Sequence, residues 1–387
     1  MLPNIKFNIA QNGLGRLQAD IQKIPGLIIT GETVAGKVTI GKSYQVFSLE
    51  EVNNLGIDQT TNVFAYKHLK AFYDIAGEGA ELWLMLVSDA TTIQTIADKA
   101  ENIATKLIQD SAGRIRVLGI IKKSTGGETI TNGLDSDVDA GVIKAQELAA
   151  DFESRYFPFR VIISGNSFSG VAADLKDYSQ ATFNKVSVLL CNTDGEKEAS
   201  IGMALGRIAS IPVQRNIGRV KDGPVESTKA FFTNGAKVES ISTSWETIHN
   251  KGFILLRNYV GRAGFYFSDD PTLTKNTDDF KSLANGFVMD KAVIIAYNSL
   301  VDELLDEIPV TASGLIHPAI IKNWQTNIET QIDGLMTSKG ELSRCRVYID
   351  ENQNVLSSGI LIVNIQLQPV GYAKYITVNI GFTTKIE

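Results

Sequence analysis

Residues 31–38, Gly31-Glu32-Thr33-Val34-Ala35-Gly36-Lys37-Val38, carry the spacing of a phosphate-binding loop, G-x-x-x-x-G-K. Such a loop cradles phosphates with backbone N–H groups, places Ser or Thr after the lysine to hold magnesium, and opens into a helix facing the anion. Here that position is Val38, and Thr39 to Val46 reads as extended. A turn between two strands accounts for the glycines. Gly13-Leu14-Gly15 lacks the third glycine of a dinucleotide fingerprint. His68, His249 and His317 stand alone, without a partner at metal-ligand spacing. Cys191 and Cys345 lie in strand-like runs without the neighbours of a catalytic nucleophile, and each reads as a buried free thiol. Asp269, Asp270, Asp278 and Asp279 offer oxygens to calcium, but not with a calcium loop's glycine and terminal glutamate. They read as turn formers around Pro271, with Thr277 or Asp278 capping the next helix. The sequence assigns no catalytic, cofactor-binding or metal-ligating residue and calls for no cofactor.

Charge is the next place to look for a partner. Lys plus Arg number 37 against 43 Asp plus Glu, a mild excess of −6 that disfavours a general nucleic-acid binder. The distribution is uneven. Residues 200–262 hold nine basic side chains against four acidic, and residues 269–310 hold nine acidic against three basic. Opposed patches of this kind fix register between docked copies or between a chain and its partner. A solvated surface with no partner is the favoured explanation, and docking the alternative.

The elements that must carry these residues follow from periodicity. At 387 residues the chain suggests two or three domains of about 150 residues each. Apolar runs such as Leu82–Val87 fall far short of the about 20 residues a membrane helix needs. The first residues lack a charged stretch followed by an apolar block, so no Sec-type export signal is read and a reducing cytoplasm is expected. Between residues 80 and 192, strands at Leu82–Val87, Ile115–Ile121, Phe159–Ser164 and Val186–Cys191 alternate with amphipathic helices. Those helices are predicted at Thr91–Asp110, Val138–Tyr156 and Ala172–Phe183. Nearly continuous apolar strands separated by helices imply a mostly parallel sheet covered on both faces. A helix over Glu196–Ile211 carries Gly202, Gly206 and Ser210 at a spacing of four, a stripe that permits close packing of backbones. Beyond residue 235 come short strands, a long helix over Asp279–Ile308, and a second helix opened by His317-Pro318. Strands then follow at Arg344–Ile349 and Ile360–Leu367.

Both ends alternate. Ile5, Phe7 and Ile9 share one face of residues 3–10, while Ile376, Val378, Ile380 and Phe382 alternate with Tyr375, Thr377, Asn379 and Gly381 after the breaker Pro369-Val370-Gly371. A lone strand is not stable in water, so each must pair with something.

The ordered series in the last third resembles a known family. It runs Lys251 to Tyr259, then Gly264-Phe265-Tyr266-Phe267-Ser268-Asp269-Asp270-Pro271-Thr272, Asp278-Asp279-Phe280 and the long helix. His317-Pro318-Ala319, Gly340-Glu341-Leu342 and Val347-Tyr348-Ile349-Asp350 follow, and the chain closes with Gln368-Pro369-Val370-Gly371 and Ile376 to Phe382. This succession is similar to the tail-sheath proteins of contractile phages and related contractile injection systems, including R-type pyocins. Lys42–Gly56 also resembles the sheath segment that precedes a helix, a Gly-rich turn and a strand. The resemblance covers most of the chain loosely, is strong over residues 250–387, and finds no particular motif between 100 and 200.

The resemblance implies a fold and a layout: a central α/β domain with mostly parallel strands, an α+β C-terminal sheath core domain, and strand-forming arms at both ends. The boundaries expected are 1–20 for the N-terminal arm, 21–235 for the α/β outer domain, 236–370 for the core domain and 371–387 for the C-terminal arm. It further implies a non-enzymatic subunit that polymerises as helical rings around an inner tube and contracts to drive that tube through a target envelope. Its expected partners are further copies of itself, the inner tail tube protein, and baseplate and tail-terminator proteins, with neither nucleic acid nor membrane insertion. Assembly is expected in the bacterial cytoplasm, and the finished location in a phage tail or injection-system particle. Subunit contacts fall to Ile5, Phe7, Ile9, Ile376, Val378, Ile380 and Phe382, and the candidates to face the tube are Arg215, Arg219, Lys221 and Lys322. The rival reading is a doubly wound α/β enzyme or ligand-binding protein with a cleft at the strand ends of residues 80–192.

Overall fold

The segment Ile24-Pro25-Gly26-Leu27-Ile28-Ile29-Thr30 forms strand β1, and all seven residues are buried. The computed structural model to which it belongs describes residues 23–225 and 227–382. Five further strands join β1 in one sheet: β2 (Ser43–Val46), β3 (Leu82–Val87), β4 (Ile115–Ile121), β5 (Arg160–Ser164) and β6 (Val186–Leu189). The order is β2-β3-β1-β4-β5-β6, parallel throughout except for β2, which runs antiparallel to β3. The chain steps from β1 to one side and then returns to the other, the topology of a doubly wound sheet. Sequence periodicity misses β1 because Pro25 and Gly26 look like breakers. Gly26 is there for space: a Cβ at that position would lie 2.9 Å from Ile115 Cδ1.

Helices α1 (Val63–Ala76), α2 (Ile93–Ala97), α3 (Ile103–Asp110), α4 (Ser136–Glu153) and α5 (Ile201–Ser210) cover the sheet. The small-residue stripe on α5 acts as its spacing suggests. A Cβ on Gly202 would fall 1.9 Å from the His68 carbonyl oxygen, and one on Gly206 2.7 Å from that of Phe72, so α1 and α5 touch through their backbones. At the far end of α5, Lys23 Nζ donates to the carbonyls of Ile208 at 3.1 Å, Pro212 at 2.7 Å and Ile211. A cation there satisfies carbonyls that have run out of helix and complements the negative end of the helix dipole.

Three helix expectations need correction. The stretch 91–110 is not one helix but α2, a short turn at Lys99–Glu101 and α3. The Asp98 side chain accepts the Ala100 N–H, and Asn102 takes a left-handed conformation (φ 55°) between the pieces. Residues 172–183 form only a helical turn at Ala172–Asp174 and a short strand at Thr182–Phe183. Asp177 accepts the Ser179 N–H and holds a turn where a helix was expected. The long helix, α6 (Leu283–Leu300), is shorter at both ends. Its N–H at Ala284 is taken by the carboxylate of Asp270 rather than by Thr277 or Asp278, whose nearest cap role is a turn at Phe280.

Residues up to Tyr297 make one compact unit and residues from Asn298 another. In the first, α6 is fixed by a buried ion pair: Arg160, at the start of β5, meets the Asp290 carboxylate through Nη2 at 2.6 Å and Nε at 2.8 Å. In the second, helix α7 (Pro318–Leu335) lies on a hairpin of β7 (Leu342–Ile349) and β8 (Val363–Pro369). His317 caps α7 with Nδ1, and Pro318 occupies its first turn. Ile316, Ile321, Trp324 and Ile349 form the core of this unit, with Ile308, Ile320, Val355, Leu361 and Val363 packed round them. Residues 370–382 carry no strand in the chain by itself, and Ile5, Phe7 and Ile9 lie outside the described residues.

Candidate functional site: assembly surfaces

A doubly wound sheet binds ligands where its strand order reverses, at the carboxyl ends of the strands. Here, beside β1 and β4, the chain's own side chains bond to the backbone of that place. Thr30 Oγ1 accepts the Lys123 N–H at 3.0 Å, and Asn166 Nδ2 donates to the Lys122 carbonyl at 2.8 Å. The buried Glu198 carboxylate accepts the Ser124 N–H. Glu128 Oε1 sits on the N–H groups of Thr125 and Gly126, where an external anion would otherwise bind. Its pKa falls to about 2, because those N–H groups and a side-chain bond from Ser124 outweigh its burial. At this end of the sheet the chain's own side chains thus take up backbone donors and carbonyls of the loop after β4.

The residues with chemical potential are equally committed. Gly31 to Val38 closes a tight turn through Val34 N–H to the Val38 carbonyl (2.8 Å), with Gly36 at φ 74°, and leads into β2 instead of a helix. His68 is buried in α1, where desolvation, with Lys67 adding to it, lowers its pKa to about 3, so it stays neutral. Both cysteines are buried free thiols, pushed up by burial to about 12 for Cys191 and about 11 for Cys345. Asp269 and Asp270 both accept from Asn216 Nδ2, and Asp270 also accepts from Ser282 and Ala284, which accounts for the oxygens that calcium would have used.

Much of the uneven charge is likewise internal. Arg207 donates to the carbonyls of Asp222, Gly223 and Pro224, and Lys251 to those of Ala172, Ala173 and Leu175. Arg215 and Arg219 share Asp222 at 3.3 and 2.6 Å. Lys221 is exposed, as is Lys322 on α7. The structure therefore brings Arg215, Arg219 and Lys221 together on one turn, with one carboxylate, Asp222, set against the three of them. Lys322 belongs to the other unit. Of the acidic run, Asp269, Asp270, Asp278 and Asp290 hold their own unit together, whereas Asp302, Asp306 and Glu307 are exposed.

Apolar side chains are left exposed as well. Ile376, Val378, Ile380 and Phe382 are 79, 75, 94 and 111% exposed. Upstream, β8 is nowhere fully buried: Val363, Ile365 and Leu367 face the same side as buried Cys345, Val347 and Ile349 of β7, yet stay half-exposed. On the opposite edge of the hairpin, the Val347 N–H donates to Glu329 Oε1 of α7 at 2.8 Å. Periodicity cannot single out Glu329, since a glutamate on a helix reads as solvated face until the hairpin is placed beside it.

Comparison with known proteins gives this surface a context. No curated protein matches the chain. Among solved structures, the anti-feeding prophage (AFP) helical sheath in its contracted state aligns at 14% identity and a TM-score of 0.65, covering 100% of this chain and 99% of that one. The PVC sheath complex of an extracellular contractile injection system, also contracted, aligns at 13% and 0.61 over 100% and 98%. A chain of the contracted AFP baseplate aligns at 16% and 0.64 over 98% of each. At such identities the likeness is one of fold, and it spans both units. The DUF2586 N-terminal domain matches residues 2–271 and the DUF2586 C-terminal domain matches residues 279–387, so the chain belongs to the DUF2586 family and has the fold of contractile sheath proteins.

Proposed function

We propose that this protein is the structural subunit of a contractile sheath, stacking in helical rings around an inner tube and driving that tube forward as the lattice shortens. The observation that carries the reading is the end-to-end match to sheath chains in the contracted state. A non-enzymatic role goes with that likeness to structural sheath chains. The arms are residues 1–20 and 371–387, and the contacts between copies run through Ile5, Phe7, Ile9, Ile376, Val378, Ile380 and Phe382. Strand addition suits them: backbone hydrogen bonds supply the joint and alternate apolar side chains the register. Many weak joints per copy become firm through effective concentration. Arg215, Arg219, Lys221 and Lys322 are the residues offered to the tube, and baseplate and terminator proteins would close the two ends of the cylinder. Assembly takes place in the bacterial cytoplasm before the particle is complete; among the described residues no helix is long and apolar enough to cross a membrane.

Negative-stain microscopy of the purified chain tests this directly. Tubes or stacked rings are expected from the full chain, and folded monomers from chains lacking residues 1–12 or 374–387. A discrete small oligomer from the full chain, or normal tubes from both truncations, would overturn the reading.

A further inference from the structure

Helix α6 is held on the first unit by an ion pair that has an unused counterpart beside it. Asp290 sits on Arg160, with both carboxylate oxygens engaged, one by Nε and one by Nη2. One strand away stands a second guanidinium. Pro25 has no N–H to give to a ladder, and the register of β1 against β4 slips there. Ile24 pairs with Ile115 and Pro25 with Val117, so Arg116 between them opposes no residue of β1. A bulge of this kind re-aims the side chain it carries. Arg116 is 7% exposed, and its Nη1 donates to the carbonyls of Gly113 at 2.5 Å and Ile115 at 3.0 Å. Its buried Nε has no partner among the described residues. Val117, the next residue, is in register with Arg160. Burial lowers the pKa of Arg116 to about 10, and Asp290 is the charge near enough to work against this.

An idle N–H on a buried guanidinium costs free energy. An external anion does not suit the place, because Asp290 already brings negative charge to it. Asp290 itself does suit it, since each of its oxygens has a further lone pair to offer.

The far end of the docked stretch is held by a second separable contact. Tyr297 stacks on Tyr156, with ring centroids 5.0 Å apart and 28° between the planes. Tyr156 follows α4 at φ 66°, the left-handed conformation that glycine usually takes after a helix, and is 60% exposed. Strain of that kind persists where surrounding contacts hold it, and it gathers at elements with two states.

We infer that Arg116 is a second seat for Asp290, so that α6 has two docked positions on the first unit. In the position described, Asp290 is on Arg160 and Tyr297 on Tyr156; in the other, Asp290 is on Arg116 and the tyrosines are apart. A carboxylate passed between two fixed guanidiniums makes a discrete exchange instead of a gradual drift. A lattice that shortens, as proposed above, is where the second position would be used, but its existence does not depend on that reading.

Spin labels on Val293→Cys of α6 and Glu101→Cys between α2 and α3, both exposed positions, report where the helix lies. The labelled full chain is diluted into unlabelled chain and measured by pulsed electron resonance; the native cysteines are buried. One dominant distance is expected in the parent. Arg160→Gln should move it by up to about 5 Å, the spacing of neighbouring strands, to a second narrow distance. Adding Arg116→Gln to Arg160→Gln should turn that second distance into a broad spread, while Arg116→Gln alone leaves the first unchanged. Tyr156→Gly, which leaves the ion pair in place, should raise the share of the second distance severalfold, and Arg116→Gln should cancel the rise. Persistence of the first distance in Arg160→Gln, or the same result with and without Arg116, would overturn the second seat. So would an Arg160→Gln chain that fails to fold, since Arg116 is there to take the carboxylate. None of these distances depends on whether the chain forms tubes.

Discussion

Strands β1 and β8 are both seven residues long, and they could hardly be treated more differently. Every residue of β1 is buried, flanked by β3 and β4 and covered by helices, while no residue of β8 is fully buried and one of its edges is open. The first unit buries its central strand on every side and meets a guanidinium with a carboxylate inside its core. The second leaves apolar side chains in water, at a cost of about 25 cal/mol per Å² of surface not removed. A region that completes itself is built to fold alone. One that stops short gains its remaining stability from association, as mass action allows.

The sharpest way to break this comparison is to remove a partner from inside the first unit. Asp290→Ala leaves Arg160 charged and buried, and should cost about 3–5 kcal/mol, read as a lower denaturant midpoint with the truncated monomer as the reporting species. Polymer assembly would fail with it. Serine substitution of both Ile376 and Ile380 should do the opposite: tubes disappear under the microscope while the monomer's midpoint stays within about 0.5 kcal/mol. A monomer weakened as much as by Asp290→Ala would mean that the segment already packs at home.

Next in size is Gly202→Ala. Its methyl would collide with the His68 carbonyl and push α1 from α5, for about 1–3 kcal/mol of overpacking, detectable as a lowered melting temperature of the first unit. His68 sharpens the contrast by pH. Its folded pKa of about 3 lies below the ordinary 6.5, so the unfolded state binds the extra proton between those values. Stability is full above about pH 6.5 and falls on acidification, with a slope of up to about 1.4 kcal/mol per pH unit. His68→Leu should flatten that slope. At the small end, Arg219→Ala removes one of two partners of Asp222 at an exposed site and should change stability by less than about 1 kcal/mol.

The legible parts of the sequence were those in which one face is buried by the chain itself. Leu82–Val87, Ile115–Ile121 and the strand runs near 160 and 186 were found by their continuous apolar character, and Gly202 and Gly206 by their spacing. The missed parts turn on side chain to backbone bonds that carry no periodicity. Asp98 breaks a helix, Asp177 prevents another, and Asp270 caps α6 from thirteen residues before its start. The charge asymmetry was readable as arithmetic but misleading as surface, because Arg207, Lys251 and Asp290 are spent inside. Glu329 was invisible for a further reason: its role exists only once α7 lies against an edge strand far along the chain.

Lys23 is also an anchor point, since its Nζ holds the carbonyls of Ile208, Ile211 and Pro212. Tension applied through the preceding segment would reach the molecule at this residue, then pass into the central strand of the sheet. Hydrogen bonds on both sides of that strand lie across the direction of pull, so they would be sheared together instead of unzipped in turn. The three carbonyls gripped by the lysine add a cleat at the very point of entry. A pull from the amino end would therefore load the central strand and both of its neighbours at once.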